Sequence, residues 1–242
     1  MTEDLPLVSV ALCTYNGEKY LSAQLDSIVG QDYPNLEIVI IDDCSKDNTI
    51  QILKSYQDKH ENVKVILNEV NIGFNRNFEK AIQACNGDFI AIADQDDIWL
   101  SKKLSTLMDN IGDNLLIYHD SEFIDESGLD LHLSTSTYHR FISGHCAEKL
   151  IYFNCISGHA CLFRKQLIQI TPVFNSEFYY DWWLGYSAAC TGKISFITQK
   201  LVYHRKHEDS STQRDQSDPK SLREKQLQLF MNHPLTSKKL KL

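Results

Sequence analysis

The chain has no apolar run approaching the ~20 residues that a membrane-spanning helix needs, which argues against a transmembrane helix. Its first residues, Met1-Thr2-Glu3-Asp4, are acidic and lead straight into a strand-like run, so no signal peptide is expected. The seven cysteines (Cys13, Cys44, Cys85, Cys146, Cys155, Cys161, Cys190) form no C-x-x-C pair. A zinc site therefore lacks its paired ligand spacing, and reduced, mostly buried thiols in a cytosolic protein are expected. Positive charge is not in excess: the net charge of −8 argues against general nucleic-acid binding. No G-x-x-x-x-G-K-[ST] occurs and no G-x-G-x-x-G follows the first apolar run, which weakens P-loop and dinucleotide readings. An EF-hand starting at Asp94 fails as well, because its sixth position is Trp99 and its twelfth Ser105. There is no internal repeat.

What is present is an ordinary globular composition, 242 residues with 43% hydrophobic and 23% charged side chains, enough for a sizeable core. The first half alternates strand and helix. Strands are expected at 7–12, 36–41, 63–67, 89–93 and 115–118, since each is a short apolar run rich in strand formers. Between them Leu21, Leu25, Ile28 and Val29 share a helical face, as do Ile50, Leu53 and Tyr56, then Phe74, Phe78, Ala81, Ile82 and Cys85, and finally Leu104, Leu107, Met108 and Ile111. Ser45 or Asp47 is the expected N-cap of the second helix, and Gly87 the C-cap of the third. This alternation implies an α/β fold with a mostly parallel sheet flanked by helices. Ligands of such sheets sit at the carboxyl ends of the strands.

Three motifs fall on those ends: Thr14-Tyr15-Asn16, Asp42-Asp43, and Asp94-Gln95-Asp96-Asp97. The last crowds three carboxylates into four residues directly after an apolar strand. Like charges that close repel, and a divalent cation removes the conflict with the oxygen ligands that Mg²⁺ and Mn²⁺ prefer. Taken alone the cluster is equally a solvated turn with a capping Asp. The convergence of three polar strand ends favours a nucleotide diphosphate held with a metal.

The residues 8–16, 40–47, Asn71-Ile72-Gly73 and Asp94-Gln95-Asp96-Asp97-Ile98-Trp99 together resemble family 2 glycosyltransferases of the GT-A fold, most closely the bacterial rhamnosyltransferase-like branch that builds cell-surface polysaccharides. The resemblance implies that Thr14, Tyr15 and Asn16 line the base pocket, that Asp43 accepts from base or ribose while Asp42 is structural, and that Arg76 lies near the nucleotide. It implies Asp96 as a direct ligand of Mn²⁺ or Mg²⁺ and Asp94 as a contact to ribose or metal-bound water. Asp97 is expected to cap the following helix instead. Tyr180-Asp181-Trp182-Trp183 is similar to the family's acceptor-side acidic motif, which makes Asp181 the expected general base of an inverting transfer. Trp182 or Trp183 is then a sugar platform or part of the core. His204-Arg205-Lys206-His207 is similar to the family's late Tyr-Arg-x-His segment, with His204 in place of Tyr. The resemblance puts His207 at the metal or diphosphate and Arg205 toward the phosphates, whereas Asp209 and Ser210 depart from the family's Asn residues.

The second half, from about Asp120, is less regular. A turn is expected at 125–128, a mobile loop over 131–141, a strand entered through Gly158, a helix over 178–189, and two strands, 194–197 and 201–203, around a short turn. Residues 210–219 read as loop and 222–231 as a terminal helix. The organisation expected is one GT-A domain with a donor-binding half (1–119), a mixed acceptor-side catalytic half (120–218) and a basic end (219–242). From Lys220 onward there are six basic residues and one acidic, so that end is either a solvated helix or a peripheral contact with an anionic membrane. The function expected is a metal-dependent, inverting, cytoplasmic glycosyltransferase. It would move a sugar from a UDP- or dTDP-sugar to a glycan or lipid-linked acceptor, with no nucleic-acid partner. The alternatives are a catalytically inactive nucleotide-sugar or glycan-binding module, and a nucleotidyltransferase, for which the segment after the first strand is a poor triphosphate loop.

Overall fold

The structure, a computed structural model, describes residues 5–171, 174, 179–207, 228, 230–231 and 235–236. The chain alternates β1 (Val8–Thr14), α1 (Leu21–Val29), β2 (Leu36–Asp42), α2 (Thr49–Lys59), β3 (Val63–Leu67), α3 (Phe74–Ala84) and β4 (Phe89–Ala93). Every residue of β1 and β4 is buried, as continuous apolar strands covered on both faces must be. A short β5 (Ile98–Trp99) leads into α4 (Lys103–Ile111), followed by β6 (Leu116–Ile124), β7 (Asp130–Ser134), α5 (Thr135–Tyr138) and α6 (Ala147–Leu150). A 3-10 turn (Gly158–Ala160) opens β8 (Cys161–Arg164), and α7 (Gln166–Ile170), α8 (Tyr180–Thr191) and β9 (Ile194–Arg205) complete the described elements.

All nine strands join one curled sheet in the order β3-β2-β1-β4-β8-β6-β9-β5, with β7 on the side of β6. β1 to β4 run parallel, as do β6 and β9, whereas β8, β5 and β7 are antiparallel to their neighbours. Two apolar layers cover the faces. One sets Leu21, Leu25, Ile28, Leu104 and Leu107 against Val8, Val10 and Leu12; the other packs Phe78, Ala81 and Ile82 with Trp182, Trp183 and Leu184 against Ala11 and Ile92.

Four registers build the site. β1 lies between β2 and β4 with Thr14 opposite Asp42 and Leu12 opposite Ala93, so the three polar strand ends stand side by side. β8 runs against β4 with Leu162 opposite Ala91, which returns the Gly158–Ala160 turn to the acidic end of β4. β9 pairs with β5 through Tyr203 opposite Ile98, which lays His204 and Arg205 beside Asp97. α8 then presents its first turn, with Asp181, to the same edge.

Several local expectations are corrected. Residues 131–141 contain β7 and α5, not an unstructured loop; β7 is an edge strand, bulged against β6 with only Ser134 buried, so its apolar pattern is weak. Residues 194–205 form one strand parallel to β6, not a two-strand hairpin, and its register against β6 shifts on either side of Asp120. Gly87 is not a cap, since α3 ends at Ala84. A Cβ on Gly87 would lie 2.6 Å from Ser9 Oγ and 2.7 Å from Leu7 O, so the glycine admits close strand contact. Asn48 precedes α2; Ser45 does not cap that helix, while Asp47 accepts the Thr49 N–H at 3.0 Å. The turn at 125–128 forms, with Asp125 accepting the N–H groups of Ser127 and Leu129. None of the seven cysteines is in a disulfide, and five of them are buried. The expected 210–219 loop and most of the 222–231 helix lie outside the described residues. Phe230, however, is fully buried against Trp182 and Tyr186, so part of the basic end is docked on α8 and not wholly solvated. None of the described helices is long and apolar enough to cross a membrane.

Candidate active site

Thr14 and Asp42 form a buried knot. The Thr14 hydroxyl donates to Asp42 Oδ2 at 2.9 Å, and Ser45 donates to the same carboxylate through its N–H (2.9 Å) and its hydroxyl (2.5 Å). Thr14 is 2% exposed, so it braces the strand ends and does not itself line an open pocket, a correction to its expected role. Asp42 is structural, as expected. Tyr15 stands at the rim, its N–H and carbonyl both bonded to the Gln95 side chain (2.8 and 3.1 Å), so that one amide bridges the ends of β1 and β4. Asn16 takes a left-handed backbone (φ 49) and accepts the Lys46 N–H at 2.8 Å. Asp43 is buried, and its carboxylate accepts from Asn68 Nδ2, the Ile72 N–H and the Gly73 N–H at 2.8–2.9 Å. It therefore holds the loop before α3, leaving acceptor capacity for at most one further bond. Arg76 lies half-exposed on α3, paired with Glu79 at 3.2 Å.

The acidic motif divides into different environments. Asp94 stays about one-third exposed, yet burial and then the charges of Asp97, Asp96 and Asp181 push its carboxyl well above the usual range. Asp96 Oδ2 lies 2.7 Å from His207 Nε2. Asp97 is fully buried and caps no helix, because α4 starts six residues later with no side-chain cap. Its Oδ1 accepts the His204 Nδ1–H at 2.9 Å and the Arg205 N–H at 3.1 Å. Burial opposes its charge, but His204, His159 and the Arg205 amide outweigh it and hold Asp97 well below the carboxylate range. Its Oδ2 has no hydrogen-bond partner among the described residues.

Arg205 does not face an open phosphate site. It is 6% exposed, and its guanidinium donates to the carbonyls of Asp96 (2.9 Å), Asp125 and Glu126 (both 3.1 Å). It fastens the acidic loop from behind. Of the two readings of Trp182 and Trp183, the structure agrees with the core: at 6% and 5% exposed they pack within it. The Trp182 indole N–H donates to Leu150 O at 2.6 Å. Neither ring presents a face to a sugar.

Asp181 opens α8. Its Oδ2 accepts the Gly158 N–H at 3.0 Å and its Oδ1 the Trp182 N–H at 2.7 Å. Burial pushes the carboxyl up to about 6, against the pull of those amides. Gly158 permits this approach, since a Cβ there would fall 2.1 Å from the Tyr180 hydroxyl.

Behind these residues lies a basic set, Lys103, His119 and His159 fully or nearly buried and His204 partly so, of which the sequence singled out only His204. Lys103 is fully buried. Its Nζ sits 3.2 Å from the centre of the Trp99 ring and donates to His159 O at 2.6 Å. Burial holds the Lys103 amine and the His159 imidazole well below their ordinary values, and His119 down at about 3. His159 bonds Ser121 Oγ at 3.0 Å and stacks on His204, ring centres 4.2 Å apart and planes within 8°.

Two places could hold a metal. Asp97, His159 and His204 offer donor atoms within 4.8 Å of one another. An ion bonds imidazole along the ring plane, so two parallel stacked rings cannot both ligate one ion without turning. The Asp96–His207 pair suits one better. Two donors about 2.1 Å from an ion in adjacent positions lie about 3 Å apart, near the spacing here. Asp94, pushed up by burial and then by three neighbouring carboxylates, stands where negative charge crowds that a divalent cation would offset.

The family model for glycosyl transferase family 2 matches residues 9–170. The chain belongs to this family. Its relatives include an uncharacterized glycosyltransferase of Methanocaldococcus jannaschii, 38% identical over 84% of this chain and 71% of that protein. Among solved structures, S. aureus TarS 1–349 in complex with UDP-GlcNAc superposes with a TM-score of 0.73 at 22% identity, covering 94% of this chain and 67% of that one. The mannosyltransferase PcManGT of Pyrobaculum calidifontis, in complex with GDP-Man and Mn²⁺, does so with a TM-score of 0.59 at 18% identity, covering 84% of this chain and 57% of that one. The glycosyltransferase spans 59–71% of the length of the curated relatives that match most of its residues.

Proposed function

We propose that this glycosyltransferase is inverting and metal-dependent, and that it moves a sugar from a UDP- or dTDP-sugar to a glycan or lipid-linked acceptor of cell-surface polysaccharide synthesis. The observation that carries the reading is the meeting of a carboxyl poised at about 6, Asp181, with the Asp94–Asp96–His207 cluster at one sheet edge. In the reaction, Asp181 accepts the proton of the acceptor hydroxyl as that oxygen attacks the anomeric carbon from the face opposite the diphosphate. The carbon–oxygen bond to the diphosphate breaks, and its electron pair leaves with the phosphate. Asp96 and His207 would hold Mn²⁺ or Mg²⁺, which when bound neutralises the leaving diphosphate. Asp94 faces the ribose or the metal's water. Tyr15 and Asn16, with the loop that Asp43 holds, rim the base pocket on the donor half, and Arg76 stands beside it. The acceptor half supplies Asp181. TarS and PcManGT, bound to nucleotide sugars, and PcManGT with Mn²⁺, support the donor and metal readings.

The test is nucleotide release from a panel of UDP- and dTDP-sugars, with and without Mn²⁺. Asp96→Ala and Asp181→Asn are expected to lose turnover. Undiminished turnover in both would sink the assignment, and UDP binding without turnover on any donor would leave a binding module.

A further inference from the structure

The buried amine of Lys103 is unexplained by metal or nucleotide binding. It is the first residue of α4, directly behind the acidic motif, and it is fully enclosed. Burying a lysine without an ion pair at hydrogen-bond distance is unfavourable, and this one has no surface to reach. Its two contacts are specific. The Trp99 ring faces the amine, its centre 3.2 Å from Nζ, and a 2.6 Å hydrogen bond reaches the carbonyl of His159. That carbonyl belongs to the Gly158–Ala160 turn, whose first N–H is the 3.0 Å donor to Asp181 Oδ2. Ser121 holds the His159 ring from the other side at 3.0 Å.

We propose that Lys103 is a positioning residue for catalysis: by clamping the His159 carbonyl it holds the Gly158 N–H on Asp181, and so sets the direction and basicity of the base from the donor-side loop. The inference rests on the reading of Asp181 as base and adds the element that tunes it. A lone backbone turn of three residues has little rigidity of its own, and a clamp on its central carbonyl removes the freedom that would let Gly158 swing away. Without the Gly158 N–H the charged carboxylate loses a stabilising bond and its affinity for the proton rises. The other groups bearing on Asp181 are Asp94 from the end of β4, Cys161 from β8 and its neighbour Tyr180 in α8. The Lys103 amine favours the ionised forms of Asp94 and Cys161, so its removal leaves both more protonated and weakens their repulsion of Asp181, an effect opposite in sense to the loss of the Gly158 N–H.

The experiment uses the full chain labelled with ¹³C at aspartate carboxyls, the Asp181 signal being the one missing from Asp181→Asn. In Lys103→Met the Asp181 titration is expected to move upward by about 0.5–1 pH unit. The low-pH limb of UDP release should move with it, while the affinity for UDP with Mn²⁺ changes less than threefold. Lys103→Gln keeps a shorter donor and should show a smaller shift in the same direction, with partial recovery of turnover. Titration of Asp181 unmoved in either folded variant would overturn the proposal. So would a loss of UDP affinity with Asp181 unmoved, which would make Lys103 a support of the donor site. The titration needs no turnover, so the clamp is tested even if Asp181→Asn proves active and the base reading falls.

Discussion

His207 Nε2 lies 2.7 Å from Asp96 Oδ2, although 111 residues separate the two in the chain. The pair forms because β9 ends beside the acidic loop, and both side chains stay mostly buried. Asp96→Ala and His207→Ala should each weaken Mn²⁺ binding by about 10-fold or more, as losses of ligands or their orienting partners do. Calorimetric titration of Mn²⁺ in the presence of UDP checks this. Equal affinity in both variants would place the ion elsewhere, with the Asp97–His159–His204 group as the next site to test.

Asp181 has a carboxyl pushed up to about 6 by burial. A base must be unprotonated, so turnover should rise with pH through about 6 and level off above it. Asp181→Asn should lose about 10²–10⁴-fold in kcat and lose that limb as well. The same raised value acts on stability with the opposite sense. The folded state binds this proton more tightly than the unfolded chain, whose value is 3.8. Stability from this group is therefore full below about 4, falls as pH rises to about 6, and is flat above. Denaturant unfolding of wild type minus Asp181→Asn should follow that curve, with a span of about 1–3 kcal/mol.

Trp182 is packed edge-on against Phe230 with ring centres 5.0 Å apart and donates to Leu150 O. Trp182→Ala should destabilise the fold by about 3–5 kcal/mol, as large cavities in a core do. Trp182→Phe, which keeps most of the volume, should retain acceptor KM within about twofold at a smaller stability loss. A variant of unchanged stability and raised acceptor KM would restore the sugar-platform reading.

The donor half was legible because its strands are continuous apolar runs buried on both faces, and its helices carry one apolar stripe each. β1 and β4 show this in every residue. The crowding of Asp94, Asp96 and Asp97 falls at the edge where the three polar strand ends stand side by side. What sequence could not separate was the fate of the three carboxylates. Asp97 looks like a helix cap in one dimension, and only the β5–β9 pairing supplies His204 and the Arg205 amide that it serves. Nothing in the sequence joins Lys103 to His159, because their meeting depends on β8 returning antiparallel to β4. Trp182 and Trp183 stayed between two readings for a different reason. An aromatic pair beside an acid suits both a sugar platform and a core, and burial alone decides between them.

The two adjacent acids Asp96 and Asp97 should separate cleanly in experiment. Asp97 is fully buried and carries the imidazole of His204 and the backbone of Arg205. Asp97→Ala leaves those donors without an acceptor and should cost about 3–5 kcal/mol. Because His204, His159 and the Arg205 amide hold Asp97 below the carboxylate range despite its burial, its contribution is present above the unfolded value and lost as pH falls through its folded value. The wild-type advantage over Asp97→Ala should therefore be full at pH 6–7 and shrink toward acid, opposite in sense to the Asp181 curve. Asp96→Ala, by contrast, removes a partly exposed carboxylate and should cost less stability while losing most Mn²⁺ affinity. Urea unfolding at several pH values beside Mn²⁺ calorimetry gives both numbers for each variant. Equal profiles for the two would mean that Asp97, too, acts on the ion.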